Sequence, residues 1–341
     1  MPVSLGYIVK RIITILLVII GVAAFSYIIL MITPGDPASK WAGNPRGRAA
    51  ELAIELARKE LGLDKPLYIQ VVRFVWNILT GNLGVSIATK EPVTTAIYTA
   101  LAATLELLVV AYAIAVPLAL FLGMHAALNR GSLTDKLVMS LGVILASTPT
   151  FWLAVIILAI CSLAGFIPYG RVSEHLRMAT GFTPITGLYL LDSLIQGNYA
   201  VFIDVLIRII PAAIAVSVYP IGALARATRI LVAEALLEDY VKAAVAWGVK
   251  RSTILRTYIL RSITPPIIQI AGISFAYSLV DAMVVESVMG RQGLGQLLLS
   301  SIYTSDFRVA VGLVVYLTGF YVVINTLVDV MQAYVDPRVK I

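Results

Sequence analysis

Six segments of the chain are long and apolar enough to cross a lipid bilayer, and this feature constrains the fold more than any other. A transmembrane helix needs about 20 predominantly apolar residues. The segments are 9–32, 99–125, 137–164, 205–226, 264–288 and 308–333. Helices are expected because lipid leaves open backbone groups unsatisfied. The sequence therefore predicts an all-α integral membrane protein with about six transmembrane helices.

Composition supports a membrane protein over a soluble one. Hydrophobic residues make up 60% of the 341 residues and charged residues only 13%, against about 25% charged in a typical soluble domain. The net charge of +7 raises nucleic acid as a partner, but the basic residues mostly flank apolar runs, which is a membrane-topology pattern. With Cys161 as the single cysteine, neither an internal disulfide nor a Cys/His metal site is predicted.

The distribution of basic residues predicts the orientation. Lys10 and Arg11 precede an apolar stretch that is too long for a cleaved signal peptide, so 1–32 is expected to be a retained N-terminal transmembrane helix. The short 126–136 loop and the 226–261 segment are also rich in Lys and Arg, as is the C-terminus with Arg338 and Lys340. The positive-inside rule places this side, with both termini, in the cytoplasm. The chain is expected in the plasma membrane.

Two longer connections fall on the opposite side. Residues 33–98 are expected to form a small external domain, in which Thr33-Pro34-Gly35-Asp36-Pro37 ends the first helix by turn chemistry and 48–61 forms an amphipathic helix. The permease core, 99–341, carries five transmembrane helices and an external insert, 165–204. Within that insert, turn-forming and charged residues interrupt the stretch 182–199, so it is interpreted as an interfacial helix or folded loop.

The cytoplasmic loop 230–262 has the pattern of two helices. Apolar residues recur at helical spacing up to Trp247, which predicts a short helix along the membrane face, with Gly248 at its left-handed end. Ser252 or Thr253 is expected to cap a second helix that runs to about Arg261, and Pro265-Pro266 to reset the chain into the fifth span. The pattern alone leaves two roles open: docking a partner, with Ala243 and Ala244 allowing close approach, or packing on lipid headgroups.

One motif favours docking. Glu238-Asp239-Tyr240-Val241-Lys242-Ala243-Ala244-x3-Gly248 resembles the EAA loop of ABC importer permeases. Lys242 stands where the motif has glutamate, as is typical of the dipeptide/oligopeptide permease family. Further segments that resemble this family, in order, are Pro34-Gly35-Asp36-Pro37, Leu61-Gly62-Leu63-Asp64-Lys65-Pro66-Leu67, Gly81-Asn82-Leu83-Gly84-Val85-Ser86, Thr104-Leu105-Glu106-Leu107, Thr148-Pro149-x-Phe151-Trp152-Leu153, Val285-Glu286-Ser287-Val288, Gly293-Leu294-Gly295 and Val335-Asp336-Pro337-Arg338.

The resemblance implies one half of an ATP-driven importer of the type I permease fold. It implies a second permease chain, expected to be a different one, two ATPase subunits, and an external solute-binding protein. The residues it implies for contact with the ATPases are Glu238, Asp239, Tyr240, Lys242, Ala243, Ala244 and Gly248. No phosphate-binding G-x-x-x-x-G-K-[ST] segment is found, so ATP and Mg²⁺ are expected on the partner ATPases, and no catalytic residue or cofactor is expected in this chain.

The family resemblance leaves the substrate open between oligopeptides, the leading hypothesis, and oligosaccharides or chelated nickel. A secondary transporter without an ATPase is an alternative of a different class. It predicts inverted repeats and paired broken helices, which the sequence does not display. An intramembrane enzyme would need a nucleophile–base pair or metal ligands within the spans, and no such set is seen.

Three acidic residues, Glu106, Asp281 and Glu286, fall within or near predicted spans. An ionisable group in hydrocarbon is costly and usually faces a cavity or a partner. One hypothesis is that they line the substrate path, with Asp281, deepest in its segment, as the best candidate for attracting a peptide's amino terminus. The alternative is a structural role, in which the carboxylates accept hydrogen bonds from neighbouring helices.

Overall fold

The computed structural model describes residues 5–32, 36–43, 45–47 and 50–335, and the regular elements in these ranges are helices. An isolated β-bridge pairs Val85 with Pro92. The expected turn at 33–35 and the C-terminal motif from Asp336 onward, with Arg338 and Lys340, lie outside the described residues.

The helices follow one another along the chain with mostly short connections. The first half contains α1 (Leu5–Ile32), α2 (Pro37–Trp41), α3 (Ala50–Leu61), α4 (Leu67–Leu79), α5 (Val93–Leu128), α6 (Leu133–Ser147) and α7 (Thr150–Leu163). The second half contains α8 (Glu174–Thr180), α9 (Tyr189–Ile195), α10 (Tyr199–Ala235), α11 (Asp239–Ala246), α12 (Arg251–Thr253), a π-helix (Ile254–Ile259), α13 (Leu260–Met289), α14 (Leu294–Tyr303) and α15 (Phe307–Val335).

Five helical segments of the described chain are long and apolar enough to cross a membrane, and a bent pair of helices makes a sixth candidate. The prediction of an all-α membrane protein with about six spans is therefore confirmed. The five segments are Val9–Ile29, Val93–Leu128, Tyr199–Ala235, Arg251–Met289 and Phe307–Val335.

The expected single span 137–164 was wrong in its continuity. Two helices, α6 and α7, occupy this range and bend by 97° between Ser147 and Thr150. Thr148 has an extended backbone (φ −78°, ψ 127°), because the residue before a proline is disfavoured in the helical region. The helix is thus fully broken at Thr148 and Pro149.

The other spanning helices are longer than the apolar segments from which they were predicted. Helices α5 and α10 contain 36 and 37 residues, so each is about 55 Å long, whereas the hydrocarbon core of a bilayer is about 30 Å thick. Hydropathy marks only the middle of each helix, which is why the predicted 99–125 and 205–226 stop short of both ends.

The chain divides into two compact units. Of the described residues, the first contains 102–295 together with 5–7 and 323–335. In it α10 packs against α13, α6 and α7. Glycines allow close approach of these helices: a Cβ at Gly222 would lie 2.6 Å from the carbonyl oxygen of Gly142. Small residues of this kind are typical of helix interfaces within membranes.

The external insert expected at 165–204 belongs to this unit and folds around two short helices, α8 and α9. No helix long enough to span a membrane occurs between Leu163 and Tyr199, so the interpretation of 182–199 as non-spanning is confirmed. The carboxylate of Asp192, which is fully buried, accepts hydrogen bonds from the backbone N–H groups of Ile185, Thr186 and Gly187. One carboxylate thereby organises the loop before α9.

The second unit contains residues 8–101 and 296–322. Its core joins Ala23 of α1 to Val311 and Val315 of α15, with Phe74 and Ile78 of α4 packed against them. The amphipathic helix predicted at 48–61 is observed as α3, Ala50–Leu61, with positions 48 and 49 outside the described residues. Ser86 and Asp306 form a buried hydrogen bond at 2.5 Å, which ties the segment before α5 to the start of α15.

Candidate functional site

The EAA-like motif folds as α11, a helix of eight residues, Asp239–Ala246. Glu238 precedes it in an extended conformation, and its carbonyl oxygen accepts from the N–H groups of Val241 and Lys242. After Trp247, Gly248 adopts a left-handed conformation with φ +73°. The expected helix that ends at Gly248 is confirmed.

The continuation beyond Gly248 differs from expectation. Lys250, not Ser252 or Thr253, stands at the start of α12, and its side chain makes no capping hydrogen bond. The helix then passes through a π-helical segment, Ile254–Ile259, and continues through Pro265 and Pro266 to Met289. The expected interruption at the two prolines was wrong. Helix α13 continues on both sides of them. The loop 230–262 is consequently helical over most of its length.

The inner face of α11 is seated on a hydrophobic core. Val241 and Ala244 are 3% and 7% exposed, and both belong to one cluster of buried residues. The other buried members of the cluster are Ala127 of α5, Val232 and Ala235 of α10, Ile254 and Ile259 of the π-helix, and Ile263 and Ile267 of α13. Through these contacts α11 is packed directly against the ends of three long helices.

The opposite face of α11 is open. Asp239, Lys242 and Ala243 are exposed there, and Trp247 just beyond is 88% exposed. Lys242 Nζ donates to Asp239 Oδ1 at 2.9 Å, and this hydrogen bond and the positive charge hold the pKa of the Asp239 carboxyl below its ordinary value. The exposed face therefore consists of a small residue, a charge pair and, just beyond the helix, a large exposed indole.

The remaining motif residues take separate positions. The ring of Tyr240 stacks on that of Tyr258 in the π-helix, with centroids 6.4 Å apart. Ala244, expected beside Ala243 on a partner-facing surface, instead faces the chain's own core, because the two neighbours point about 100° apart around a helix. Glu238 and Gly248 flank the helix and are exposed.

The π-helix is the part of this site that sequence reasoning missed. It lies between α12 and α13, and its Ile254 and Ile259 belong to the core on which α11 is seated. Single π-helical turns are rare and occur frequently at functional sites. The residues 254–259 carry no glycine or proline, so we find no sequence signal that would have revealed it.

Glu106 lies in a buried cluster of ion pairs. It is 5% exposed, and its Oε2 accepts hydrogen bonds from Nη2 of Arg171 and Nη2 of Arg291, both at 2.9 Å. Its Oε1 accepts from the N–H of Leu190 at 2.7 Å. Both arginines were missed at the sequence level, because they lie 65 and 185 residues away in connections outside the spans.

Glu286 is fully buried beside this cluster. Its Oε2 accepts from the N–H of Gly295 at 2.9 Å, and a Cβ at Gly293 would collide with its carboxylate. The N–H of Leu294 donates to Thr104 Oγ1 at 2.9 Å. Three motifs that are distant in sequence, around Thr104, Glu286 and Gly293, thus meet in one place. Burial and pairing favour the structural alternative for Glu106 and Glu286 over a place on the substrate path.

Asp281 has a different environment. It is only partly buried, and it accepts a hydrogen bond from Thr150 Oγ1 at 2.8 Å. One turn earlier on α13, Ser278 and Tyr112 form a hydrogen bond at 3.0 Å, and the exposed Tyr277 makes an edge contact with Tyr219. Of the three acids, Asp281 alone combines partial exposure with polar and aromatic neighbours. It therefore stays a candidate for the substrate path.

Comparison with known proteins identifies the family. The model of the "binding-protein-dependent transport system inner membrane component" matches residues 115–341, and that of its N-terminal membrane component matches residues 4–108. The chain is 35% identical over 325 residues to the probable D,D-dipeptide transport system permease protein DdpB of Escherichia coli K12, which covers 95% of this chain and 94% of the relative.

Two further relatives match over nearly their whole length. The dipeptide transport system permease protein DppB of Escherichia coli K12 is 31% identical over 338 residues, 98% of this chain and 99% of the relative. The di/tripeptide transport system permease protein DppB of Pseudomonas aeruginosa is 32% identical over 337 residues, again 98% and 99%. The chain therefore belongs to the family of inner membrane permease components of binding-protein-dependent ABC transport systems.

Proposed function

We propose that the chain forms half of the translocation path of an ATP-driven importer and that α11 is the helix on which an ATPase subunit docks. The observation that carries this proposal is the two-sided construction of α11. Val241 and Ala244 anchor one face in the chain's own core, while Asp239, Lys242 and Ala243 leave the other face free. A docking helix needs both properties, because it must bind a partner and stay attached to the parts that move.

The residues packed under α11 connect it mechanically to the membrane-spanning helices. The core cluster joins α11 to α10, the π-helix and α13, and α13 carries Asp281 within the membrane-spanning segment Arg251–Met289. Closure of the ATPases displaces α11, and this displacement moves α10 and α13 together. The gate of the path opens and closes as these helices change their tilt.

The division of labour follows from this arrangement. ATP and Mg²⁺ bind to two ATPase subunits on the cytoplasmic side, where both termini and the loop 230–262 lie. A second, different permease chain completes the path across the plasma membrane. A solute-binding protein delivers substrate to the opposite side, which carries the domain 33–98 and the insert 165–204.

For the substrate we propose oligopeptides, and short peptides first among them. Relatives that match nearly the whole chain are named for dipeptides and for di- and tripeptides. The partly exposed Asp281 suits attraction of a protonated peptide amino terminus, since opposite charges attract strongly in a low-dielectric surrounding.

The test is a matched set of variants in the complex reconstituted with its ATPase, second permease and solute-binding protein. Ala243→Leu adds bulk and Asp239→Lys reverses a charge on the free face of α11. Ala179→Leu is the control, since Ala179 is an exposed alanine on α8, far in sequence from α11. We expect both α11 variants to lower co-purification of the ATPase and peptide-stimulated ATP hydrolysis at least several-fold, with the control unchanged in co-purification.

Unchanged assembly and unchanged peptide-stimulated hydrolysis in both α11 variants would refute docking at α11. Peptide uptake by the chain without any ATPase would instead establish a secondary transporter. Stimulation of ATP hydrolysis by oligosaccharide or chelated nickel, but not by peptide, would leave the docking proposal standing and replace the substrate.

A further inference from the structure

Helix α4 packs against the C-terminal half of a membrane span, although it belongs to the connection 33–98. Its residues Phe74, Val75 and Ile78 pack against a buried cluster that includes Ala23 of α1. Ala23 lies inside the candidate span Val9–Ile29, about 9 Å along the helix axis from its C-terminal end. A helix that touches this level of α1 lies at the depth of the hydrocarbon core of the bilayer.

The first turns of α4 contact the C-terminal part of α1. Tyr27 donates from its hydroxyl to Gln70 Oε1 at 2.9 Å, and its ring lies 4.8 Å from that of Phe74. Since Tyr27 is near the end of the candidate span, α4 starts at the level where α1 leaves the membrane. With 13 residues, α4 is about 20 Å long, which is enough to reach past the centre of one leaflet.

The free side of α4 is apolar. Tyr68, Val72, Trp76 and Leu79 are between 42% and 70% exposed, and their spacing places them on one face. This face is distinct from the one that packs on α1, so α4 is apolar around most of its circumference. A helix of this kind is buried in protein or lipid, and Tyr and Trp are typical of membrane interfaces.

The polar residues of α4 form a narrow strip between the two apolar faces. Gln70, Arg73 and Asn77 all line one cavity of about 280 Å³, together with Asn82 and Arg308. A polar strip that faces a cavity is compatible with membrane depth, because ionisable groups inside a bilayer face the protein interior or water.

Helix α3, in the same connection, has a mixed surface, on which the exposed Leu52 and Leu56 lie beside exposed charged residues. Its exposed surface includes Glu55 and Lys59, which form a salt bridge at 2.9 Å, and Glu51. Mixed charges on an exposed face indicate contact with water. The contrast shows that the apolar face of α4 is a property of that helix rather than of the whole connection.

We infer that α4 is embedded in the bilayer leaflet at the C-terminal end of α1, with Tyr68, Val72, Trp76 and Leu79 in contact with lipid acyl chains. The connection 33–98 is then part membrane element and part aqueous domain. The inference requires only that α1 spans the membrane. It does not depend on docking of an ATPase or on the identity of the substrate.

The test uses single cysteines for spin labelling in the full complex, reconstituted in lipid nanodiscs, with Cys161→Ser as background. Val72→Cys and Trp76→Cys probe the apolar face, Arg73→Cys probes the polar strip and Leu56→Cys probes α3. The accessibility of each label to oxygen, which concentrates in lipid, is compared with its accessibility to a water-soluble nickel chelate. We expect the oxygen-to-nickel ratio at 72 and 76 to exceed that at 56 and 73 at least several-fold.

Two results would overturn the inference. High nickel accessibility at 72 and 76 would place α4 in water, and low accessibility to both reagents would show that another protein chain covers it. A measurement without labels gives an independent check: brominated lipids should quench the fluorescence of a variant in which Trp41, Trp152 and Trp247 are replaced by Phe, so that Trp76 is its sole tryptophan. Absence of quenching in this variant would contradict lipid contact.

Discussion

Arg291 donates from Nη2 to Oε2 of Glu106 across 2.9 Å, and neither side chain is more than 5% exposed. Arg171 donates to the same oxygen, so two positively charged guanidinium groups share one carboxylate. A buried ion pair contributes little relative to an apolar pair, but the loss of one partner leaves an uncompensated charge in the interior. The cluster is therefore sensitive to removal of its single shared acceptor.

Glu106→Gln should strongly destabilise the protein. The change keeps the shape of the side chain but removes the charge that both arginines share, and breaking a buried pair costs about 3–5 kcal/mol. We expect a fall of several degrees in the midpoint of thermal unfolding in detergent. Asp281→Asn is the control, because Asp281 is partly exposed and makes a single neutral hydrogen bond, and its midpoint should change little. Equal falls in both variants would count against a special role of the cluster.

Gly295→Ala should destabilise the protein through backbone contact. A Cβ at Gly295 would collide with the carbonyl group of Met283, and overpacking of this kind costs about 1–3 kcal/mol. Gly21→Ala is the matched control: no atom lies within 4 Å of its Cβ position, and alanine is about 0.5–1 kcal/mol better than glycine within a helix. Thermal unfolding of the two variants should shift in opposite directions, and a shift of Gly295→Ala no larger than that of the control would contradict the contact.

Substitution of Gly248 should lower stability because of the backbone conformation at this position and not because of a steric clash. The residue has φ +73° with no atom within 4 Å of a Cβ, and a left-handed conformation costs about 1–2 kcal/mol for most L-residues. We expect Gly248→Ala to lower the thermal stability and the peptide-stimulated ATP hydrolysis more than Gly248→Asn, because asparagine tolerates this conformation. If the two variants lose the same activity, backbone conformation is not what position 248 supplies.

The loop before α9 should weaken at acid pH. Burial raises the pKa of the Asp192 carboxyl, but hydrogen bonds from Thr186, Ile185 and Gly187 outweigh this effect and hold the pKa below its ordinary value. Because the folded pKa is lower than the unfolded one, about 3.9, the stabilisation is present above that value and is lost as the pH falls through the folded pKa.

The measurement for Asp192 is the midpoint of thermal unfolding between pH 3 and pH 7. The difference between the unmodified protein and Asp192→Asn should be largest near neutral pH and should shrink below about pH 4. Glu174→Gln, an exposed carboxylate in a long surface pair, should give a nearly constant and small difference. A difference for Asp192→Asn that does not vary with pH would rule out the carboxylate as its source.

The sequence predicted what depends on local composition and failed where distant residues combine. The spans are visible because each is a continuous apolar run, and Gly248 because one residue type suits a left-handed helix end. The pairing of Glu106 with Arg171 and Arg291 depends on three segments that meet only in the folded chain. The 97° break at Thr148-Pro149 separates two helices that each pack against α10, and the local sequence does not give the size of the bend.

The two prolines near the start of α13 illustrate the same limit. Pro265 and Pro266 indicate an interruption when they are considered alone, yet α13 runs through both. Proline removes a hydrogen bond within a helix, and the packing of Ile263 and Ile267 in the core under α11 retains the helix there. Tertiary packing of this kind has no signature within a few residues of the prolines.

The uninterrupted helix Arg251–Met289 has a mechanical consequence. With 39 residues it is about 58 Å long, and it reaches from the loop after Gly248 to the turn that buries Glu286. Its π-helical stretch, Ile254–Ile259, lies close to the loop, and Pro265 and Pro266, which each remove a hydrogen bond of the helix, follow it in sequence. Under the docking proposed for α11, this helix would act as a lever that links the loop to Asp281 within the span.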